Sequence, residues 1–227
     1  MITPTRSRPE NFTRMAESCR TMSGGEIIIY VGIDDDDPLI WKYHEIMPGD
    51  VNVKIFVDKR QSLSAWTNVL AKYAIEDFGT SNVYLVSMGD DHVVRTNFWE
   101  TRLIRAIRNL DGPGFSYGDD MMNGSGLCTC WMVSALVVEK IGWMMLPKCK
   151  HMYVDNAIME LGEATNRIKY IPDLVIEHMH PSIKKSEIDI TYMDSEINYV
   201  PDLNNFRNWR NSPDFVQQAR TITDLKW

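Results

Sequence analysis

The stretch IIIYVGIDDDDP, residues 27–38, runs an apolar segment straight into four consecutive aspartates, Asp34 to Asp37. The apolar part is nearly continuous and rich in β-branched residues, the pattern of a parallel strand covered on both faces. Four adjacent carboxylates repel one another, so water, a cation or hydrogen-bond donors must meet them. A solvated turn after a strand is the plainest reading of one such run.

Working outward, NVYLVSM (82–88) repeats the apolar-strand pattern, and VNVKIFV (51–57) alternates more, as a strand nearer an edge does. Between them SLSAWTNVLAKYA places Leu63, Trp66, Val69, Leu70 and Tyr73 at helical spacing, with Ser62 or Ser64 as the cap. Trp99, Leu103, Ile104, Ile107 and Leu110 mark a second crossover helix, stopped by NLDGPG. WMVSALVVEKIGWMML (131–146) reads as a third, largely buried helix ending at Gly142, its Met and Trp residues belonging to a core. PENFTRMAESCRTM (9–22) forms an opening helix with Pro9 near its first position. Only MITPT precedes its loop, so the first strand is either very short or trimmed. The alternation predicts an α/β fold over residues 1 to about 180. After Pro181 the chain turns polar, and residues 182–227 are expected to wrap the domain as an extension.

The 227 residues, 44% hydrophobic and 24% charged, are those of an ordinary globular protein, and the net charge of −7 argues against non-specific attachment to nucleic acid or an anionic membrane. Cys19, Cys128, Cys130 and Cys149 lack the CxxC pairs of a zinc site, and a chain this size needs no disulfide framework, so a reducing compartment is expected. No apolar run has signal-peptide form or approaches the roughly 18 residues of a membrane span. The expected location is the cytoplasm.

A second acidic cluster, MGDDH (88–92), also follows an apolar strand directly. Two such clusters at the carboxyl ends of neighbouring parallel strands share one rim, where open α/β sheets bind ligands. Mg2+ is held by carboxylates and phosphate oxygens, and Mn2+ also accepts imidazole. PDLVIEHMHP (172–181) is predicted as a final strand, with His178 and His180 two residues apart and so on one face.

In order along the chain, TPTRSRP, IIIYVGIDDDDP, SLSAWTN, YLVSMGDDH, CTCWMVSALVVEKIGWMMLP and HMYVDNAIMELG resemble the GT-A-fold glycosyltransferases of the family-two-like type found in bacteria and phages. The resemblance covers about residues 2 to 192; GDDH and the span from HMYVDN to EHMHP are its most specific parts. It implies a Rossmann-like, mostly parallel sheet flanked by helices over residues 1–181, followed by the 182–227 extension. It also implies that Thr5, Arg6 and Arg8 border a nucleotide and that Asp34 or Asp35 accepts the N3–H of a uracil-type base. Asp90 and Asp91 match the DxD-like element, Asp90 near the ribose or sugar and Asp91 as metal ligand. His178, with His180 as second choice, completes the site for Mn2+ or Mg2+. Asp155 falls where inverting members carry their catalytic carboxylate, although Val154 stands where a glutamate is usual.

The implied activity is transfer of a sugar from a nucleoside diphosphate sugar, UDP-type favoured, to an acceptor hydroxyl on a glycan, lipid, protein or modified nucleobase. Asp155 would act as general base, and Lys184 and Lys185 could fold over the diphosphate. Asp120, Tyr117 and Trp131 fall in the half of the fold that meets the acceptor, where packing is the plainer role for each. Two other readings use the same sheet. A sugar-phosphate nucleotidyltransferase needs a glycine-rich triphosphate loop, which TPTRSRP lacks; a non-catalytic nucleotide- or glycan-binding module would keep the fold without turnover.

Overall fold

Strand β2 (Ile28–Asp34) is the spine of the acidic rim, and its side chains alternate between two cores: Ile29, Val31 and Ile33 enter one, Tyr30 the other. The structure, a computed structural model, describes residues 1–45 and 51–227. Around β2 lie β1 (Ile2–Thr5), β3 (Asn52–Asp58) and β4 (Tyr84–Ser87), connected through α1 (Pro9–Met22), α2 (Ile40–Glu45) and α3 (Leu63–Phe78). The second half contributes β5 (His92–Val94), α4 (Trp99–Arg108), β6 (Phe115–Asp119), β7 (Trp131–Ser134), α5 (Ala135–Ile141), α6 (Val154–Thr165) and β8 (Ile168–His178). The chain then adds α7 (Ile190–Glu196), α8 (Tyr199–Arg210) and α9 (Pro213–Asp224).

Among the described residues the strands form one 8-stranded mixed sheet in the order β3-β2-β1-β4-β7-β6-β8-β5. The first four are mutually parallel. β7 runs antiparallel to β4 and β6, and β5 antiparallel to β8. β3 lies at the edge, in keeping with its more polar alternation. Helices α1 and α4 close one face around Trp99, Leu103 and Ile107; α3, α5 and α6 close the other around Leu70, Val137 and Ile158.

Local sequence explains the elements that build the rim. Ser62 caps α3 by accepting from the Ala65 N–H, and Gly79, at φ 70°, ends it. Gly32 has no side chain because Trp66 fills that space: a Cβ there would stand 2.6 Å from the indole Cε3. That close approach lets the α3 indole lie against β2.

Two sequence expectations need correcting. Residues 131–146 are not one helix: Trp131–Ser134 form the buried strand β7 and only Ala135–Ile141 are helical, ending as expected at Gly142 in the left-handed region, φ 84°. An unbroken apolar run carries no period that separates a buried strand from a buried helix. The last strand starts at Ile168 and stops at His178, so His180 lies beyond it and the one-face argument for the two histidines fails.

Residues 182–227 supply buried Trp209, Phe215 and Ile222 to the core shared with α5 and α6. Full burial of a large apolar side chain stabilises by about 1.5–3 kcal/mol, so these anchors tie the extension firmly to the sheet. No helix among the described residues is long and apolar enough to cross a membrane.

Candidate functional site

Because β2, β1 and β4 are parallel neighbours, Asp34, Thr5 and the turn carrying Asp90 and Asp91 share one rim. They open onto a cleft of about 1140 Å3, whose lining includes Arg8, Asp34, Asp91, Asp155, His178 and Tyr192. That is slightly above the roughly 300–1,000 Å3 typical of a ligand pocket.

Three of the four aspartates, Asp34, Asp36 and Asp37, meet hydrogen-bond donors. Asp34, 4% exposed, accepts from the Trp66 indole (2.7 Å), the Gln61 backbone N–H (3.1 Å) and Arg6 (3.0 Å). Arg6 also pairs with Asp36. The reading of the run as a solvated turn is corrected for Asp37, which is buried and accepts from the backbone N–H groups of Ser7 (2.7 Å) and Leu39 (2.8 Å). The run therefore holds the TPTRSRP loop in place. Asp35 is exposed and outside the cleft lining, which singles out Asp34 of the two candidates.

Asp90 accepts from the Thr5 hydroxyl at 2.6 Å and from Arg8 at 3.3 Å. Burial pushes its carboxyl up to about 6, with Arg8 opposing the rise and Asp91 adding to it. Asp91 sits between two imidazoles: His178 Nε2 is 3.3 Å from Oδ2 and His92 Nδ1 is 3.1 Å from Oδ1. Burial pushes Asp91 upward, but the contacts with His178 and His92 outweigh it and hold the group well below the usual carboxylate range.

The two imidazoles meet through strand register. His92 on β5 lies directly opposite His178 on β8, and the rings stack with centroids 4.3 Å apart. Ligand atoms of Asp91, His92 and His178 all lie within 4.8 Å of one another. His92 Nδ1 and His178 Nδ1 are buried without a hydrogen-bond partner. A carboxylate with two such imidazoles suits a divalent ion that accepts nitrogen and oxygen donors. His92 is the ligand candidate that sequence reasoning left without a role; its place in GDDH was visible, its pairing with His178 was not. His180 lies outside the trio, its ring edge-on to His178 and to Tyr192.

Asp155, which also lines the cleft, occupies the first turn of α6. Burial pushes its carboxyl up to about 7, opposed by the Trp131 indole and by His178. Trp131 Nε1 itself has no partner in hydrogen-bond geometry. Lys184 and Lys185 are not cleft-lining residues; Lys185 pairs with Glu177 at 2.5 Å. Tyr117, Trp131 and Asp120 also stay out of the lining: Tyr117 donates to the Ser125 carbonyl, Trp131 is core, and Asp120 caps the turn at 122–124.

The polar extension contributes contacts that composition alone did not reveal. Asp189 takes Arg8 in a two-pronged ion pair, 2.6 Å at both Nε and Nη2. The Tyr192 ring lies 4.2 Å from the Arg8 guanidinium carbon, and its hydroxyl donates to Asp91 Oδ2 at 2.7 Å. Asp202 on α8 accepts from the backbone N–H groups of Lys150, His151 and Met152.

No protein-family model matches the sequence, and no curated protein is similar to it in sequence. Solved structures do resemble the fold. The mannosyltransferase PcManGT from Pyrobaculum calidifontis, in complex with GDP-Man and Mn2+, superposes with a TM-score of 0.63 at 11% identity, over 98% of this chain and 68% of that one. S. aureus TarS 1-349 in complex with UDP gives 0.58 at 12% identity, over 77% and 58%. Glucosyl-3-phosphoglycerate synthase from Mycobacterium tuberculosis, with Mn2+, UDP and glucosyl-3-phosphoglycerate, gives 0.55 at 12% identity, over 91% and 78%. The chain thus spans under two thirds of the TarS segment. With its mostly parallel sheet and its acidic rim at the carboxyl ends of β1, β2 and β4, the chain has the GT-A fold of the nucleotide-sugar glycosyltransferases.

Proposed function

We propose that the chain is a glycosyltransferase that moves a sugar from a nucleoside diphosphate sugar to an acceptor hydroxyl. The observation that carries this reading is the trio Asp91, His92 and His178 on the same cleft as Asp34, Arg8 and Asp155. Asp91, His92 and His178 would hold a divalent ion, Mn2+ better matched than Mg2+ because imidazole is present, and that ion would neutralise charge on the departing diphosphate.

The remaining roles belong to side chains. Asp34 accepts three hydrogen bonds already, and a carboxylate has about four lone-pair sites, so one is left for a base N–H. Arg8 carries a fixed positive charge beside Asp90 and Asp91, and its fork could turn onto phosphate oxygens only after release from Asp189. Arg6 and Thr5 keep the loop on the rim. Asp155 takes the proton of the acceptor hydroxyl as that oxygen bonds to the anomeric carbon; the anomeric bond to the diphosphate breaks and the diphosphate leaves with the electron pair. A base near 7 suits that work at neutral pH. His180 stays a neighbour of the site, and Lys185 could reach a diphosphate only after release from Glu177.

Thermal-shift screening of UDP-, GDP- and other nucleotide sugars with and without Mn2+ tests the reading. A stabilisation that needs both nucleotide sugar and metal, and that Asp91→Ala abolishes, is expected. Stabilisation by none of them overturns it.

A further inference from the structure

The loop that precedes α6 is held from behind by a charge. Asp202, in the first turn of α8, is 1% exposed, and its carboxylate accepts from three successive backbone N–H groups, those of Lys150 (2.9 Å), His151 (2.8 Å) and Met152 (2.9 Å). Among the described residues no basic side chain forms an ion pair with it. Successive N–H groups around one anion form a nest, and a carboxylate buried in a nest fixes backbone direction more firmly than an apolar contact does.

The same helix grips the loop a second time. Tyr153, the residue just before α6, sits in the left-handed region at φ 63°, a conformation that costs energy for a non-glycine residue. Its ring stacks on Phe206 (5.7 Å) and meets Tyr199 edge-on (5.4 Å), both from α8. The front of the loop faces the cleft: His151, Met152 and Tyr153 line it, and Asp155 follows two residues later. His151 lines the same cleft as Asp91 and Arg8, and burial lowers the pKa of its imidazole.

We propose that Asp202 is a positioning residue of this site: from the C-terminal extension it sets the 150–153 loop so that His151 and Asp155 stand at the reacting end of the cleft. The proposal rests on the glycosyltransferase reading for its kinetic consequence, whereas the geometric consequence stands apart from it. The extension is then part of the machinery, and a chain lacking α8 would keep the Asp91 trio but lose the hold on the 150–153 loop.

The test is Asp202→Asn, with two readouts. The first is release of UDP from UDP-GlcNAc, or of GDP from GDP-mannose, with Mn2+ and with water as acceptor, corrected for the folded fraction from circular dichroism. A fall in kcat on the order of tenfold to a hundredfold is expected, the size of a small misplacement of reacting groups, with KM for the donor within about twofold. The second is the NMR titration of His151, assigned by His151→Gln. Releasing the loop to solvent moves its pKa up toward the ordinary histidine value, whereas merely deleting the Asp202 charge moves it further down.

An upward move with lowered kcat supports the proposal. An upward move in a chain that releases no nucleotide even as wild type supports the positioning of the loop and sinks the transferase reading instead. Unchanged kcat per folded molecule, or a His151 titration that stays or falls, overturns the proposal. Should Asp202→Asn not fold, Phe206→Leu, which loosens Tyr153 from the other side, is read by the same two outcomes.

Discussion

The Tyr192 hydroxyl donates to Asp91 Oδ2 at 2.7 Å, so a side chain of the C-terminal extension occupies an oxygen of the central acid of the candidate metal trio. A cation bound by that oxygen competes with the phenol. A net hydrogen bond to a charged group is worth about 1.5–3 kcal/mol, so Tyr192→Phe is expected to tighten Mn2+ binding by roughly tenfold to a hundredfold in isothermal titration. Weaker binding in the variant would show instead that the phenol supports the ion.

The pH dependence follows from Asp155. Its carboxyl is raised to about 7 by burial, and only its deprotonated form can accept a proton. Donor hydrolysis under saturating nucleotide sugar is therefore expected to rise as pH passes upward through about 7. Asp155→Asn should remove that limb and lower the rate by about 10² to 10⁴, the usual worth of a general base. A variant that keeps the limb would assign it to another group.

Gly32 is expected to be intolerant of a methyl group. Gly32→Ala puts a Cβ against the Trp66 ring, whose indole N–H holds Asp34. Overpacking of this kind costs about 1–3 kcal/mol, read as a lower urea midpoint. Because Trp66 and Asp34 move together, nucleotide binding should weaken beyond the loss of stability. Unaltered binding per folded molecule would separate Asp34 from the nucleotide.

Trp209 measures how far the extension belongs to the fold. It is 1% exposed and edge-on to Trp143 and Phe215. Trp209→Ala is expected to cost about 3–5 kcal/mol, with far- and near-ultraviolet signals lost in a single transition. Two separate transitions would mean that residues 182–227 melt on their own.

The parallel half of the sheet was legible because β2 and β4 are apolar runs bounded by acidic turns, and α3 carries both its spacing and its Ser62 cap. The antiparallel half was not. β5 has three residues, too short to show a period, and β7, as short as β4, is continuous in hydrophobicity with the helix after it. Asp34, Asp90 and Asp91 were named as candidates from their positions after strands, and Asp155 and the metal role of His178 from family resemblance; the structure brings all five to one cleft. His92 was missed because its role depends on cross-strand register with His178. Asp189, Tyr192 and Asp202 were missed for a related reason: in a polar tail nothing local distinguishes a solvated side chain from one that folds back onto the cleft.

The metal trio is tested most directly by titrating Mn2+ into the chain with UDP present, in the wild type and in Asp91→Ala and His178→Ala. One site that both substitutions abolish is the expected result. A site of unchanged affinity in both variants would contradict it.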